Sequence, residues 1–371
     1  TQISYNGYMG VNEAKFPQLM DGNQYVQFRK DVFRANQKTG WDSGEPALEK
    51  VFGAKELDVV NTGNFVDWQD LMYRKKSMTQ EHNVSISHGS EKTQITLSLG
   101  YRKENGYYKT NDVERLNLGF NLDHQINKFT KIGLSSRLTN STMNNFTSPG
   151  VNLIYMNPTS IPYDEGGNMI WNPSTQQTAA WNILANYQEP YVNQLTYLRN
   201  FNVLFAEFSL AKGLKLRSNL GIDLDQGRRR EYYGSKTTLR YGRTDYAAKQ
   251  DINKAGILWD NILSYNTEIN KHSINGTFVT SYQQQNSNRF SASGEGFPGE
   301  GLQDWNLASA TQNVIIGSGY EKWVLGSFLG RFQYGFDDRY QINLSLRGDG
   351  SSVLSKGNKW GYFPAVSAAW T

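Results

Sequence analysis

Gly294-Glu295-Gly296-Phe297-Pro298-Gly299 has the G-x-G-x-x-G spacing of a dinucleotide-binding turn. That turn works when a strand precedes it and an α-helix opens after it, because the helix N–H groups then hold the pyrophosphate. Pro298 and the following Glu300-Gly301 argue against such a helix, so a loop is expected here. The histidines His82, His88, His124 and His272 show neither H-E-x-x-H nor any paired ligand spacing, and no metal site is expected. Arg347-Gly348-Asp349 matches an adhesion tripeptide but fits better as a strand end running into a turn. Asp223/Asp225 and Asp164/Glu165 are candidate acid–base pairs. Asp223 and Asp225, however, alternate onto the same strand face as Lys215 and Arg217, where mutual charge balance is the simpler role. There is no G-x-S-x-G nucleophile motif. The absence of cysteine removes thiol catalysis, disulfides and Cys-ligated zinc. Neither catalysis nor a cofactor is expected.

These residues sit on segments with a period of two. Leu116, Leu118, Phe120 and Leu122 alternate with Arg115, Asn117, Gly119, Asn121 and Asp123. Ile132, Leu134 and Leu138 alternate with Lys131, Gly133, Ser135 and Arg137. The device recurs over 214–224, 257–269 and 340–349, placing Lys215, Arg217, Asp223, Asp225, Asp260, Glu268 and Arg347 on polar faces. Many of these runs reach ten residues, the length of a tilted membrane strand (about 9–11) and longer than a soluble strand (about 5–6).

The connections alternate in length. Tight turns are expected near 88–92, 127–130, 211–214, 270–273 and 337–338. Long loops are expected over about 11–79, 144–195, 226–254, 286–320 and 350–361, with a shorter one over 104–111. Short turns at one end and long loops at the other are the habit of membrane barrels. Tyr25, Phe28, Val32 and Phe33 stand at helical spacing, so a helix over 21–36 is expected in the first long loop. The segment 144–195 is Asn-, Pro- and Gly-rich and is expected to be a folded loop. Its Trp171 and Trp181, like Trp305 further on, suit either stacking on a ligand or packing of loop on loop.

Composition agrees. Apolar residues are only 38%, yet the chain has 22 Tyr, 18 Phe and 9 Trp, as suits a thin wall edged by aromatic belts. Phe129, Phe336 and Tyr340 are expected in an inner belt, and Trp360, Tyr362, Phe363 and Trp370 in an outer one. A net charge of +4 from 38 basic and 34 acidic residues gives no reason to expect nucleic acid as a partner. No apolar run is long enough for a membrane helix, which leaves strands as the way to cross a bilayer. The reading is an all-β fold: an antiparallel transmembrane β-barrel, partial, with roughly a dozen strands. Residues 1–371 form a single such domain, both ends of which look cut.

Several segments then resemble one family in order along the chain. Phe65-Val66-Asp67-Trp68-Gln69-Asp70, Gln80-Glu81-His82-Asn83 through Gly89-Ser90, and Gly100-Tyr101 through Arg115-Leu116-Asn117 are similar to the SusC/RagA-like TonB-dependent outer-membrane transporters. So are Arg347, Asp349, Gly350, Ser351 and Ser352, followed by Trp360, Gly361, Phe363 and Pro364. His88 departs from the family's usual Gly. The resemblance implies the first half of a larger barrel, with the plug domain and the C-terminal half outside this chain. It also implies integral location in the bacterial outer membrane, TonB (contacted through segments absent here), a SusD-like surface lipoprotein as partner, and glycan or oligopeptide cargo taken up as nutrient. The alternative is a passive or adhesive outer-membrane barrel. In either, Arg115, Asp123, Lys131, Arg137, Lys215, Arg217, Asp223, Asp225, Asp260, Glu268 and Arg347 are expected to face the lumen, holding a plug or setting selectivity.

Overall fold

The structure is a computed structural model that describes residues 1–38, 40–144, 155–174 and 181–371. Among the described residues, twelve strands form one sheet in sequence order, every neighbouring pair antiparallel. They are β1 (Gln2–Glu13), β2 (Lys76–Gly89), β3 (Thr93–Asn105), β4 (Asp112–Asn127), β5 (Thr130–Asn144) and β6 (Tyr191–Ala211). After them come β7 (Leu214–Tyr233), β8 (Tyr246–Ile269), β9 (His272–Glu295), β10 (Gln312–Phe336), β11 (Tyr340–Ser351) and β12 (Trp360–Trp370). The all-β class and the expected strand number hold.

Each of the five expected tight turns falls between two strands, and the long connections collect at the opposite end of the sheet. Gly213, at φ +80°, makes one turn possible: a Cβ there would lie 2.2 Å from the Asn266 carbonyl oxygen. The helix expected over 21–36 is α1 (Gly22–Ala35). It starts where Asp21 accepts a bond from the Gln24 amide while the Gln24 side chain accepts one from the Asp21 amide, a reciprocal cap.

The long loops are shorter than expected: 14–75, 145–190, 234–245, 296–311 and 352–359. Residues 145–154 and 175–180 of the second lie outside the described residues. For 234–245 and 296–311 the reason is that β7 to β10 run on for 20 to 25 residues, beyond the band where one face is apolar and the other polar. There the two faces no longer differ, being polar alike at Arg228–Arg230 and Gln283–Gln285 and apolar alike at Val314–Ile316, so the period-two signal vanishes, but the backbone ladder needs no side-chain contrast to continue.

Register fixes the two faces, because directly opposed residues of an antiparallel pair project to the same side. One face carries Leu97, Leu118, Leu204, Leu220, Phe278, Phe332, Leu344 and Val366. These remain open to the surroundings; Leu97 is 50% exposed, Phe278 49% and Val366 75%. So broad an apolar band is foreign to a soluble surface. The aromatic residues border it, with two corrections. Trp370 stacks on Tyr340 (centroids 6.5 Å apart) at the short-turn end, since the eleven-residue β12 runs from Trp360 at the other rim to Trp370 at this one. Phe363 lies on the polar face opposite Arg347, because neighbours in a strand alternate.

Candidate functional site

The other face is where the charges meet. Strands β4 to β8 and β11 place Arg115, Asp123, Lys131, Arg137, Lys215, Arg217, Asp223, Asp225, Asp260, Glu268 and Arg347 on the side opposite the apolar band. Two groupings organise them. Arg199 forms a two-pronged bond to Asp223 (2.9 and 2.6 Å) and stands 3.4 Å from Asp225. Glu207 lies between Lys215 (3.3 Å) and Arg217 (3.5 Å), with the Arg217 guanidinium 4.0 Å over the Phe205 ring. Lys131 pairs with Asp123 at 3.5 Å, Ser281 donates to Asp260 at 2.5 Å, and Arg347 donates to Asp349 at 2.8 Å. Arg115, Arg137 and Glu268 make no ion pair among the described residues.

Arg199 and Glu207 escaped the sequence reading. On β6 the contrast is inverted: Phe201, Val203 and Phe205 lie on the charged face, while Asn200 and Asn202 lie in the apolar band. Between the two groupings is a depression of about 360 Å³, floored by Gly221 and Gly256 and walled by Phe201, Val203 and Leu258. Asp223 accepts from Arg199 and Asp260 from Ser281, while Asp225 Oδ1 is buried 3.4 Å from Arg199 without a hydrogen bond, so the arrangement suits binding and charge balance. Among the described residues no cluster of His, Cys, Asp and Glu has the form of a metal site.

At the long-loop end the connections pack into a body of their own. The helical turn α2 (Leu48–Val51) and helix α3 (Ala54–Thr62) enclose Tyr25 and Phe52 with α1. The buried Glu56 carboxylate accepts the Gly53 amide (3.2 Å) and lies 3.0 Å from Thr159 Oγ1, tying the first loop to the second. Asp67 caps α4 (Trp68–Met72), its Oδ1 accepting the Asp70 amide at 3.0 Å. Trp68 is 3% exposed and packs with Met72, Met156, Ile183 and Leu184. Its indole N–H points at the Asn157 and Ser160 carbonyls (3.2 and 3.1 Å). Tyr187, in the helical turn α5 (Ala185–Gln188), donates to the Met72 carbonyl at 2.9 Å, and burial pushes its phenol up to about 12.

Trp171 and Trp181 stack with centroids 6.3 Å apart, and the Trp181 N–H donates to the Lys236 carbonyl, so both serve loop packing. Trp305 is different: it is 67% exposed, with the Arg230 guanidinium 4.0 Å over its ring. Beside it the fully buried Asp304 accepts two bonds from Arg230 (2.7 and 2.8 Å) and lies 3.5 Å from Lys249. Burial raises the Asp304 carboxyl, but the Arg230 bonds and both cations outweigh it and leave the group below its ordinary value. This clamp folds loop 296–311 back on β7 and β8.

The remaining motif residues have local roles. Gly89 ends β2, and Ser90 exchanges bonds with Thr93 across the tight turn (2.7 and 3.1 Å). Asp349 and Gly350, expected in a turn, lie inside β11; Gly350 leaves room for the Trp360 indole, which a Cβ would meet at 2.7 Å. Ser351 donates its amide to the Lys359 carbonyl, while Ser352 exchanges bonds with the Val324 backbone (2.9 and 2.8 Å). Gly361 faces Asp349, and Pro364, which has no N–H to donate, faces Leu346. After Glu295 the glycine pattern runs into a single 3₁₀ turn (Glu300–Leu302), not an α-helix.

No protein-family model matches the chain. It is 27% identical over 315 residues, or 82% of its length, to TonB-dependent receptor P26 of Formosa agariphila. It is 23% identical over 99% of its length to TonB-dependent receptor SusC of Bacteroides thetaiotaomicron. These alignments span 31% and 36% of the two receptors, so the chain covers about a third of the length of such relatives. The solved structure of the RagAB peptide transporter superposes on 99% of this chain and 44% of its own, with TM-score 0.79 at 19% identity. The fold is therefore that of part of a TonB-dependent receptor barrel. Within that class the chain is SusC/RagA-like.

Proposed function

We propose that residues 1–371 form part of the barrel of a bacterial outer-membrane transporter that imports oligomeric nutrients, glycans or oligopeptides, in a TonB-dependent way. The observation that carries this reading is the division of the sheet into an exposed apolar band and a face of paired charges, which suits lipid on one side and a wet lumen on the other. The lumen-facing groups are Arg115, Asp123, Lys131, Arg137, Lys215, Arg217, Asp223, Asp225, Asp260, Glu268 and Arg347, to which Arg199 and Glu207 are now added. Their principal task is to hold a plug, since any plug must meet this wall with many hydrogen bonds. The packed long loops form an outer platform on which a SusD-like lipoprotein sits. RagAB being a peptide transporter, together with the likeness to SusC, supports this reading of the cargo and partner.

Native mass spectrometry of the full-length receptor, extracted gently from outer membranes, tests the proposal. A co-purifying lipoprotein carrying a glycan or peptide is the expected result. A lone barrel with neither favours a passive or adhesive barrel, and recovery of the intact protein in the soluble fraction refutes both.

A further inference from the structure

The apolar band is not evenly filled. On β9 and β10, Gly276 and Gly330 face outward within it, where a Cβ would meet nothing within 4 Å. No packing within the chain therefore requires glycine at either place. The missing side chains leave a depression of about 530 Å³ bordered by Leu263, Tyr265, Phe278, Phe332, Leu344 and Val366. Gly276 stands four residues from the foot of β9 and Gly330 six from the foot of β10. At about 3.4 Å per residue that is roughly 14–20 Å along the strands, the depth of one leaflet of a bilayer whose core is about 30 Å thick.

A second observation concerns the foot itself. The tight turns 90–92, 128–129, 212–213, 270–271 and 337–339 carry Lys92, Lys128, Lys212, Lys271 and Arg339, one cation in each. Three of these, Lys212, Lys271 and Arg339, lie in the turns directly below the depression. Lys271 is paired with Asp337 (2.9 Å), and Arg339 lies over the Tyr340 and Trp370 rings (5.7 and 5.8 Å). Asp338 is the other acid of that turn, and Lys212 forms no ion pair among the described residues. Cations thus outnumber acids by one in these three turns, three against two, with Lys212 outside any ion pair, and such a foot beneath an alkyl-sized groove is complementary to one molecule that is anionic at its head and apolar in its tail.

We propose that this groove is a retained-lipid site, holding an acyl chain of an anionic glycerophospholipid whose phosphate lies against Lys212 and Lys271. The proposal rests on the outer-membrane reading above. The test uses full-length receptor, delipidated in detergent and titrated separately with dioleoyl phosphatidylglycerol and dioleoyl phosphatidylcholine, with adducts counted by native mass spectrometry. We expect one phosphatidylglycerol adduct that survives collisional activation and is preferred about tenfold over phosphatidylcholine. Lys212→Gln with Lys271→Gln should abolish the preference. Gly276→Leu with Gly330→Leu should abolish retention of either lipid while leaving gel heat-modifiability intact. Equal retention of both lipids, a preference unmoved by the lysine changes, or a second receptor copy in place of lipid overturns the site. Lipid retention without lipoprotein or cargo would instead remove the transport reading and leave this one standing.

Discussion

Replacing Trp68 should detach the loop platform without harming the sheet. Its side chain is 3% exposed and central to a cluster drawn from residues 66–73, Tyr108 and the described parts of 155–191. Truncating a buried Trp to Ala costs about 3–5 kcal/mol, cavity included. At 1.4 kcal/mol per tenfold, local opening of the platform should rise about a hundredfold to a few thousandfold. Trp68→Phe separates the two contributions. It keeps most of the apolar body but removes the N–H that Asn157 and Ser160 share; the Asn157 carbonyl still accepts the Ser160 amide (3.0 Å), so the cost is about 1–3 kcal/mol for the Ser160 carbonyl.

The assay is limited proteolysis of the full-length receptor in detergent, at low protease so that cleavage tracks the open population. Cuts within 14–75, 155–174 and 181–190 should accelerate in the order wild type, Trp68→Phe, Trp68→Ala, while the heat-modifiable band stays unchanged. Equal protection of these loops in Trp68→Ala and wild type would refute the claim that one indole joins them. A lost heat-modifiable band would show instead that the platform supports the barrel.

Four further outcomes are expected. Arg230→Ala strips Asp304 of its two-pronged partner and should cost about 3–5 kcal/mol of loop docking, less what Lys249 recovers, read as faster hydrogen exchange over 296–311. Because the Asp304 carboxyl is lowered in the folded protein, its contribution is present above the ordinary aspartate value and lost as pH falls through the lower folded one; exchange in that loop should accelerate only at strongly acid pH, and acceleration already at pH 5–6 would contradict the assignment. Gly213→Ala forces a Cβ onto φ +80° and against a backbone oxygen, so the yield of heat-modifiable receptor should fall; an unchanged yield would show that the turn can rearrange. Asn202→Leu orphans Ser136 and Asn200 in the apolar band and should lower the heat-modification midpoint, while the triple change with Ser136→Ala and Asn200→Leu should restore it; simple additivity would count against the coupling.

What the residues disclosed and what they hid have one physical origin. Where one face of a strand is apolar and the other polar, as in Leu116–Leu122 against Arg115–Asp123, the side chains must alternate, and both the strand and its two faces were legible. The tight turns were legible for the same reason, since they interrupt that alternation. The extended ends of β7 to β10 lie beyond the apolar band and carry like residues on both sides, polar at Arg228–Arg230 and apolar at Val314–Ile316, so no alternation marks them as strands. Resemblance marked Trp68 as a motif residue but disclosed no contact for it, because its hydrogen-bond partners lie about ninety positions away.

The inverted stretch of β6 carries this argument furthest. Asn200 and Asn202 stand in the apolar band because Ser136 on β5 donates to Asn202 (2.6 Å) and Asn202 to Asn200 (2.8 Å), so neither strand is polar there without the other. On β7 and β8 Ser218 likewise accepts the Trp259 N–H at 3.0 Å. In hydrocarbon a lone hydroxyl or amide is costly, and a cross-strand pair removes most of that cost. Polarity in the band is thus a property of neighbouring strands, which a reading of one strand at a time cannot see. The same inversion frees the opposite side of β6 for Phe201 and Phe205, so Arg199 and Arg217 rest against aromatic rings while meeting their carboxylates. The residues that blurred the sequence pattern are those that hold the charged face in place.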